Sequence, residues 1–515
     1  MAADNRTTGA KGDSPIFSAA QHLAKKIGTV PHGTSRRKFM LAAAGGSLGL
    51  AALGSGAAQG SAGGAGQGTA EVVIPQRKVP VLAEADVVVC GGGTAGIAAA
   101  CCAARHGAKV VLLERWPSLG GMATNALVNI WHTSDRTKQV IFGFVEELID
   151  RAGPFIHRYK DFPKHPETHW FDPEGMRVVF QKVLDAYHVR TICNLKAVES
   201  IVAGDRIRGV LVDTKTGRKA VLGRIVIDAT GDGDVAANAG VPFDFGRPSD
   251  GRVQGMTMMY ELRDVDEAAV RAAPRARSEA VLETMKKLRD QGKFPQFMEP
   301  AALHYLRTGW NHLPYNMCPA TANPLREEEL TRASAAAREH VYQIVDLWRR
   351  EMPGFAKAEV THMGYSIGVR ESRRIRGLKT LDARMVVTAA KQPDAVGHGF
   401  WIIDIHDPLG TGHTTWSDQR KDMMPAVGES YHIPLGMCLN RQIANLAVVG
   451  RCASSTHEGH ASVRLQSHCM VMGQGVGTAA ALALTAGVDM SQLDVAKLQA
   501  ALRGDGVYLQ DVPSA

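Results

Sequence analysis

Four short apolar runs set the frame of this chain. Val87-Val88-Val89-Cys90 follows the polar Asp86, and Val110-Val111-Leu112-Leu113 precedes Glu114. Ile225-Val226-Ile227 and Leu446-Ala447-Val448-Val449 lie far downstream. Unbroken runs of this length, closed by glycine or polar turns, predict strands buried on both faces of a parallel sheet. Small residues from Ile97 to Ala104 predict a close-packed helix after the first strand. Helical spacing recurs over Phe142–Ala152 and over Pro173–Tyr187, the latter with Asp172 as N-cap. Alternating segments (190–194, 197–202, 206–213, 219–222) predict short strands, with turns at Gly204-Asp205 and Thr216-Gly217. A long Ala-, Gly- and Met-rich run, 466–484, reads as one more helix.

Between about 241 and 440 the pattern changes. Helical stretches (267–271, 279–291, 327–349) alternate with strand-like runs (256–262, 400–406), and the proline-rich block Pro295–Pro324, with Trp310 and Tyr315, predicts irregular structure that forms part of a lid. No internal repeat is present. The elements divide the chain into a leader and linker (1–70), the first part of a nucleotide fold (71–240), an inserted substrate or cap domain (241–440), a returning part of the nucleotide fold (441–490) and a tail (491–515).

The turn between the first strand and its helix reads Gly91-Gly92-Gly93-Thr94-Ala95-Gly96. Glycines there permit a tight turn and close approach to a pyrophosphate, and the helix start offers unpaired N–H groups to that anion. Glu114 ends the second strand 18 residues after Gly96 and is placed to accept hydrogen bonds from a ribose. A dinucleotide site on Gly91, Gly93, Thr94, Ala95, Gly96 and Glu114 follows. After the acid the chain runs Arg115-Trp116-Pro117-Ser118-Leu119-Gly120-Gly121-Met122-Ala123-Thr124. A second glycine pair so close to the acid suits a flavin, whose chain must pass near the rest of the cofactor. The strand ending Asp228-Ala229-Thr230-Gly231-Asp232-Gly233-Asp234, and the late strand entering Gly450-Arg451, supply the return that a flavin ring needs.

These motifs, with Gly368-Val369-Arg370-Glu371-Ser372-Arg373-Arg374 and the segment Gly450–Gly477, resemble the FAD-dependent oxidoreductases of the fumarate-reductase-like branch of the glutathione reductase superfamily. The resemblance covers most of residues 84–488. It implies an α/β fold: a Rossmann-like FAD-binding domain of parallel sheet plus β-meander, with an inserted α+β substrate domain. It also implies that backbone near Val198 meets adenine and that the helix starting near Leu465 and Ser467 faces the flavin ring. Gly473 in that helix, Arg451, and Thr230, Gly231 and Asp232 join the cofactor set, with Arg115, Gly120, Gly121, Met122, Ala123 and Thr124.

Charge adds a compartment. The 515 residues carry a net charge of +8, but the first 70 hold seven Lys/Arg and two acids, so only about +3 belongs to the rest. No nucleic-acid footprint is left in the body of the chain. Ser35-Arg36-Arg37-Lys38-Phe39-Met40 ahead of the Ala-, Gly- and Leu-rich stretch 41–58 resembles a twin-arginine export signal. Its glycines disfavour a spanning helix, so the mature form is expected in the periplasm or otherwise outside the cytoplasm, without a stable membrane span. That route implies passage through the twin-arginine machinery with cofactor already inserted. Eight cysteines without a CxxC pair predict mostly free thiols and no iron–sulfur cluster.

Candidate chemistry falls in two clusters. Arg370, Glu371, Arg373 and Arg374 offer forks for a carboxylate or a polarised oxygen. Arg451, Ser454, His457, Glu458, His460, Ser462 and Arg464 lie between the returning strand and the last long helix, where His457 and His460 are candidate bases. His432 is a third candidate base, and His406 with Asp407 a fourth. His-Glu-Gly-His is not HExxH, and no metal is expected. Two reactions fit: a histidine takes a hydroxyl proton as carbinol hydride passes to flavin N5, or an arginine-bound acid is desaturated or an enoate reduced. The first is preferred for a small-molecule alcohol; the electron acceptor is unassigned. A non-catalytic FAD-binding relay or assembly protein is the alternative of another class.

Overall fold

The computed structural model describes Val72 and residues 74–159, 168–273, 319–408 and 423–513, with short pieces at 280–292 and 313–315. The twin-arginine motif and its apolar stretch, and most of Pro295–Pro324 with Trp310, lie outside the described residues. Arg77–Ala515 forms one compact unit, and the fold below is that of this unit.

The apolar runs become the centre of a seven-stranded sheet. Its strands are β1 (Val81–Cys90), β2 (Val110–Leu113), β3 (Arg190–Ile192), β4 (Lys196–Ala203), β5 (Arg206–Thr214), β6 (Gly217–Asp228) and β7 (Leu446–Val448). They run in the order β3-β2-β1-β6-β5-β4, with β7 also on β6. β3, β2, β1, β6 and β7 pair in parallel, whereas β6, β5 and β4 form an antiparallel meander. β6 does both jobs. Its first half pairs with β5, and its second half, Val226–Asp228, pairs with β7. Thus the chain returns some two hundred residues later to the edge the meander vacates. Asn445, at the entry to β7, pins it there: its amide donates to the carbonyls of Ile207 (2.8 Å) and Arg224 (2.6 Å), and its oxygen accepts from Ile207 N–H (2.9 Å).

Helices α1 (Thr94–Arg105), α2 (Phe144–Ala152) and α3 (Pro173–Ala186) follow the expected segments, and Asp172 caps α3 by accepting from Glu174 N–H. α4 (Glu327–Glu351) lies between β6 and β7 in the chain. It presents Val341, Ile344, Val345 and Trp348 to Tyr260 and Phe355, a stripe at helical spacing that builds a second core. α5 (His457–Val463) and α6 (Gln466–Ala486) end the nucleotide fold. α6 is long and apolar enough to cross a membrane, but most of it is buried against α1 and the sheet. The reason for its composition is visible at that crossing. A Cβ at Gly473 would stand 2.2 Å from the carbonyl oxygen of Ala95, and one at Gly477 2.3 Å from that of Ala99.

Two expected strands differ. The run 256–262 is broken into Met256–Thr257 and Tyr260–Arg263. The run 400–406 is irregular apart from one bridge at His406. Side chains claim its carbonyls: Ser462 donates to Trp401 O (2.5 Å) and Arg464 to Asp404 O (2.9 Å). The described cysteines are free; those of the core are buried, which pushes their thiols up, and Cys318 lies outside the described residues.

Candidate active site

One cavity of about 310 Å³ runs from the C-terminal ends of β1 and β6 to the start of α6. At its first end the glycine turn folds under the sheet. Gly91 has φ +115°, and a Cβ there would meet Ala229 O at 2.2 Å, so only glycine fits between β1 and β6. Gly93, the N-cap of α1, brings no capping side chain. The first N–H groups of α1 therefore keep no intrahelical acceptor beside the cavity, a cradle for an anion. Glu114 lines the wall and is 5% exposed. Its two oxygens accept from Gly92 N–H (2.6 Å) and Trp116 N–H (2.8 Å). It thus ties the glycine turn to the end of β2; burial pushes its carboxyl up, against those two hydrogen bonds.

Opposite the cradle, Arg451 donates to Asp232 (2.7 Å) and to Ser372 Oγ (3.0 Å), and its guanidinium covers Gly231. Burial alone would raise the Asp232 carboxyl; Arg451 and Arg115 hold it below its usual value, so the pair stays ionised.

At the second end, α6 begins at Leu465, again with no side-chain cap. Ser467 lines the cavity, and its hydroxyl is buried with no hydrogen-bond partner. An orphan hydroxyl and open helix N–H groups fit an electronegative ring edge. Gln466 is held by Val128 O (2.6 Å) and Trp131 Nε1 (3.0 Å). The two ends together, an anion cradle beside an acid and an uncapped helix start with an orphan hydroxyl, fit FAD: α1 and Glu114 would hold its nucleotide, and Ser467 and α6 its ring.

Beyond the ring position the wall turns polar. Arg370 donates to Gly255 O (2.7 Å) and Thr257 Oγ1 (2.6 Å). Arg464 reaches Asp404 Oδ2 at 3.3 Å, and His406 Nε2 faces the same oxygen at 3.4 Å. His132 stacks on Trp401 with centroids 4.2 Å apart. All line the cavity. Burial pushes both imidazoles down to about 3, Arg370 adding to the effect at His406 and His468 at His132, so both rings are neutral near pH 7. Burial opposes the Asp404 carboxylate, but His406, Arg464 and Arg370 outweigh it and keep it ionised.

The structure separates the sequence-predicted residues into two groups. Gly91, Gly93, Thr94, Ala95, Glu114, Arg115, Gly121, Met122, Thr230, Gly231, Arg370 and Arg451 line the cavity. Gly96, Gly120, Ala123, Thr124 and Asp232 stand behind that wall. Gly473 faces Ala95 rather than the cavity, so it serves helix packing. At the meander the lining is Leu195, Lys196 and Ala197, not Val198, where the pairing with β5 slips. Four expected catalytic side chains lie off the cavity. His457 Nδ1 bonds to the buried Glu371 (2.9 Å), which also accepts from Gln254 N–H and pairs with Arg374. His460 is held between Arg451 O (3.1 Å) and Gln254 (3.4 Å). His432 accepts from Gln392 N–H (3.0 Å) and faces Gln510 O (3.1 Å). Arg373 pairs with Asp234 (2.8 Å) under Phe243. Each of the four is engaged by a protein partner, although Arg373 Nε is buried with no hydrogen-bond partner. Sequence reading gave His406 little weight and missed His132, Asp404 and Trp401; an aspartate two residues before a histidine in an apolar run was the available signal. Among the described residues, no group of three His, Cys, Asp or Glu is arranged to hold a metal.

The chain matches the family described as FAD dependent oxidoreductase over residues 86–502. Solved structures similar to it include a geranylgeranyl bacteriochlorophyll reductase-like protein of Thermoplasma acidophilum (12% identity, 82% of this chain and 84% of that one, TM-score 0.43). Two others are the myxobacterial chondrochloren halogenase (15% identity, 82% and 78%, TM-score 0.42) and p-nitrophenol 4-monooxygenase of Pseudomonas putida (11% identity, 84% and 91%, TM-score 0.40). The family match spans the cradle, the insert and the returning helix alike, and the chain is accordingly a member of the FAD-dependent oxidoreductase family, an enzyme whose cofactor is FAD.

Proposed function

We propose that this enzyme is an exported dehydrogenase of the fumarate-reductase-like branch, oxidising the carbinol of a small molecule. Bound FAD supplies the two-electron acceptor. The carrying observation is a histidine on the cavity wall with a carboxylate behind it, His406 Nε2 and Asp404 Oδ2 at 3.4 Å. The tautomer that donates Nε2–H to Asp404 carries its basic lone pair on Nδ1, and the carboxylate stabilises the imidazolium formed when the hydroxyl proton arrives. Trp401 and His132 form a stacked wall beside this pair.

His406→Asn is expected to slow anaerobic bleaching of the flavin by an alcohol about 10²–10⁴-fold, with FAD content unchanged. Since the imidazole must be neutral to accept a proton and is held down to about 3, kcat/KM should show no acid limb between about pH 8 and about pH 4. An unaltered bleaching rate in the variant removes His406 from the reaction. The desaturase or enoate reductase reading draws on Arg370 and Arg464 as carboxylate anchors; bleaching by saturated acids alone would favour it.

Export rests on Arg36, Arg37 and the apolar stretch after them. Arg36→Lys with Arg37→Lys is expected to leave holoenzyme in the cytoplasm, measured by fractionation. Undiminished export of the double variant defeats the twin-arginine reading. The terminal electron acceptor in this reading is a partner outside the cytoplasm.

A further inference from the structure

Among the described residues that line the cavity, two are exposed, Arg115 and Lys196. Both stand at its nucleotide end: Arg115 follows Glu114 after β2, and Lys196 opens β4. The cavity therefore reaches solvent beside Trp116, which also lines it and is half-buried. The Arg115 guanidinium lies 5.3 Å from the Trp116 ring centre. A second ring closes on Trp116 from far downstream in the chain. Tyr365, 64% exposed, stands edge-on to it with centroids 5.0 Å apart and ring planes at 86°.

The turn that carries Tyr365 is lightly held between two fixed ends. Gly364 N–H donates to Met259 O (2.8 Å), and Gly368 pairs with Thr257. Between them, Arg338 on α4 donates to Tyr365 O (3.0 Å), and Ser366 N–H donates to Asn125 O (3.0 Å). Ser366 Oγ and Asn125 Nδ2, from the two sides of this seam, are both buried with no hydrogen-bond partner. Burying polar atoms unpaired is costly, and parting the seam returns both to water. The opposite side is fixed. Arg177 on α3 donates to Thr124 O and to Asn125 Oδ1, each at 2.9 Å, and Thr124 Oγ1 donates to Leu119 O (2.6 Å). Movement therefore falls on the Tyr365 turn and spares the loop that carries Gly120 and Gly121.

We infer that FAD enters and leaves through the mouth between Arg115 and Lys196, and that Tyr365 is the latch on that mouth. Two cations at the opening suit the diphosphate of an arriving dinucleotide. The Trp116–Tyr365 contact parts to let the nucleotide reach the glycine turn, then closes over it. The inference concerns cofactor loading and holds whatever the substrate. An edge-on ring pair is worth about 2- to 12-fold in an equilibrium. A latch governs an opening step that precedes entry and exit alike. Loosening it speeds both by the same factor and leaves affinity unchanged.

The test follows exchange of bound FAD from the holoprotein into an excess of 5-deaza-FAD, with the dissociation constant for FAD measured on the same sample by equilibrium dialysis. Tyr365→Ala is expected to speed exchange about 2- to 12-fold with the dissociation constant unchanged. Tyr365→Phe, which keeps the ring, should exchange at the parental rate. Arg338→Ala frees the same turn without touching either ring, and should also speed exchange at constant affinity. A dissociation constant that rises in step with the exchange rate makes Tyr365 a simple contact of the bound cofactor and overturns the latch. Parental exchange in both Tyr365→Ala and Arg338→Ala places the entrance elsewhere and overturns the inference as well.

Discussion

Arg370→Met is expected to yield a yellow, folded enzyme that has lost most of its reaction with substrate. The side chain lines the ring end of the cavity, away from the anion cradle on α1 and from Glu114, so FAD binding should survive. What disappears is a fork held in one orientation by two hydrogen bonds. Removing one partner of a desolvated, charge-assisted contact costs about 2–5 kcal/mol, roughly 30- to 4,000-fold in kcat/KM at 1.4 kcal/mol per decade. Arg370→Lys should restore little, because an ammonium cannot hold Gly255 O and Thr257 Oγ1 and also present a planar fork. Stopped-flow bleaching with flavin content measured on the same sample decides it. A variant with parental kinetics would take Arg370 out of substrate binding altogether.

The second large effect is structural. Gly473→Ala should destabilise the protein by more than about 3 kcal/mol, well above the usual surface substitution. The added methyl would stand 2.2 Å from Ala95 O and 2.9 Å from Ala98 Cβ, and the first of these is backbone. No rotamer escapes it; α1 or α6 must move. Because the first turn of α1 is the anion cradle, and the start of α6 faces the ring position, FAD retention should fall with stability. Gly504→Ala is the control: nothing lies within 4 Å of its added carbon, and a change within about 0.5 kcal/mol is expected. Denaturant titration of the apoproteins and flavin-to-protein ratios after gel filtration measure both. Equal midpoints for the two variants would show that the helix crossing tolerates separation.

The distribution of readable and unreadable features has a physical cause. The C-terminal ends of β1 and β6, and all of β2 and β7, are uninterrupted apolar runs because both faces are buried there, and such runs are written in consecutive residues. The glycine turn, Glu114 and the Asp172 cap are equally local, since each does its work within a turn or two of chain. The motif from Arg370 to Arg374 was visible as a motif, but its division of labour was not. Arg370 faces the cavity, Glu371 meets His457 and Arg374, Ser372 meets Asp232, and Arg373 meets Asp234. His457, Asp232 and Asp234 lie 86 to 140 residues away, and only the Glu371–Arg374 pair is local. The run 400–406 misled for a related reason. Its apolar pattern is that of a strand, yet its hydrogen bonds go to Ser462 and Arg464, which no local pattern announces.

By itself, then, the order of residues determined a strand–glycine-turn–helix unit closed by an acid, a meander, a late return to the sheet and a basic motif in the insert. All of these depend on contacts between near neighbours or on periodic burial. Only the tertiary structure decided which charged groups meet at the ring end. It turned His457, His460, His432 and Arg373 into partners of buried acids and carbonyls, and brought His406, Asp404, Arg464 and His132 to the cavity. That choice depends on how α5, α6 and the irregular 400–406 segment pack together, and packing between distant segments is not encoded in any one stretch of the chain.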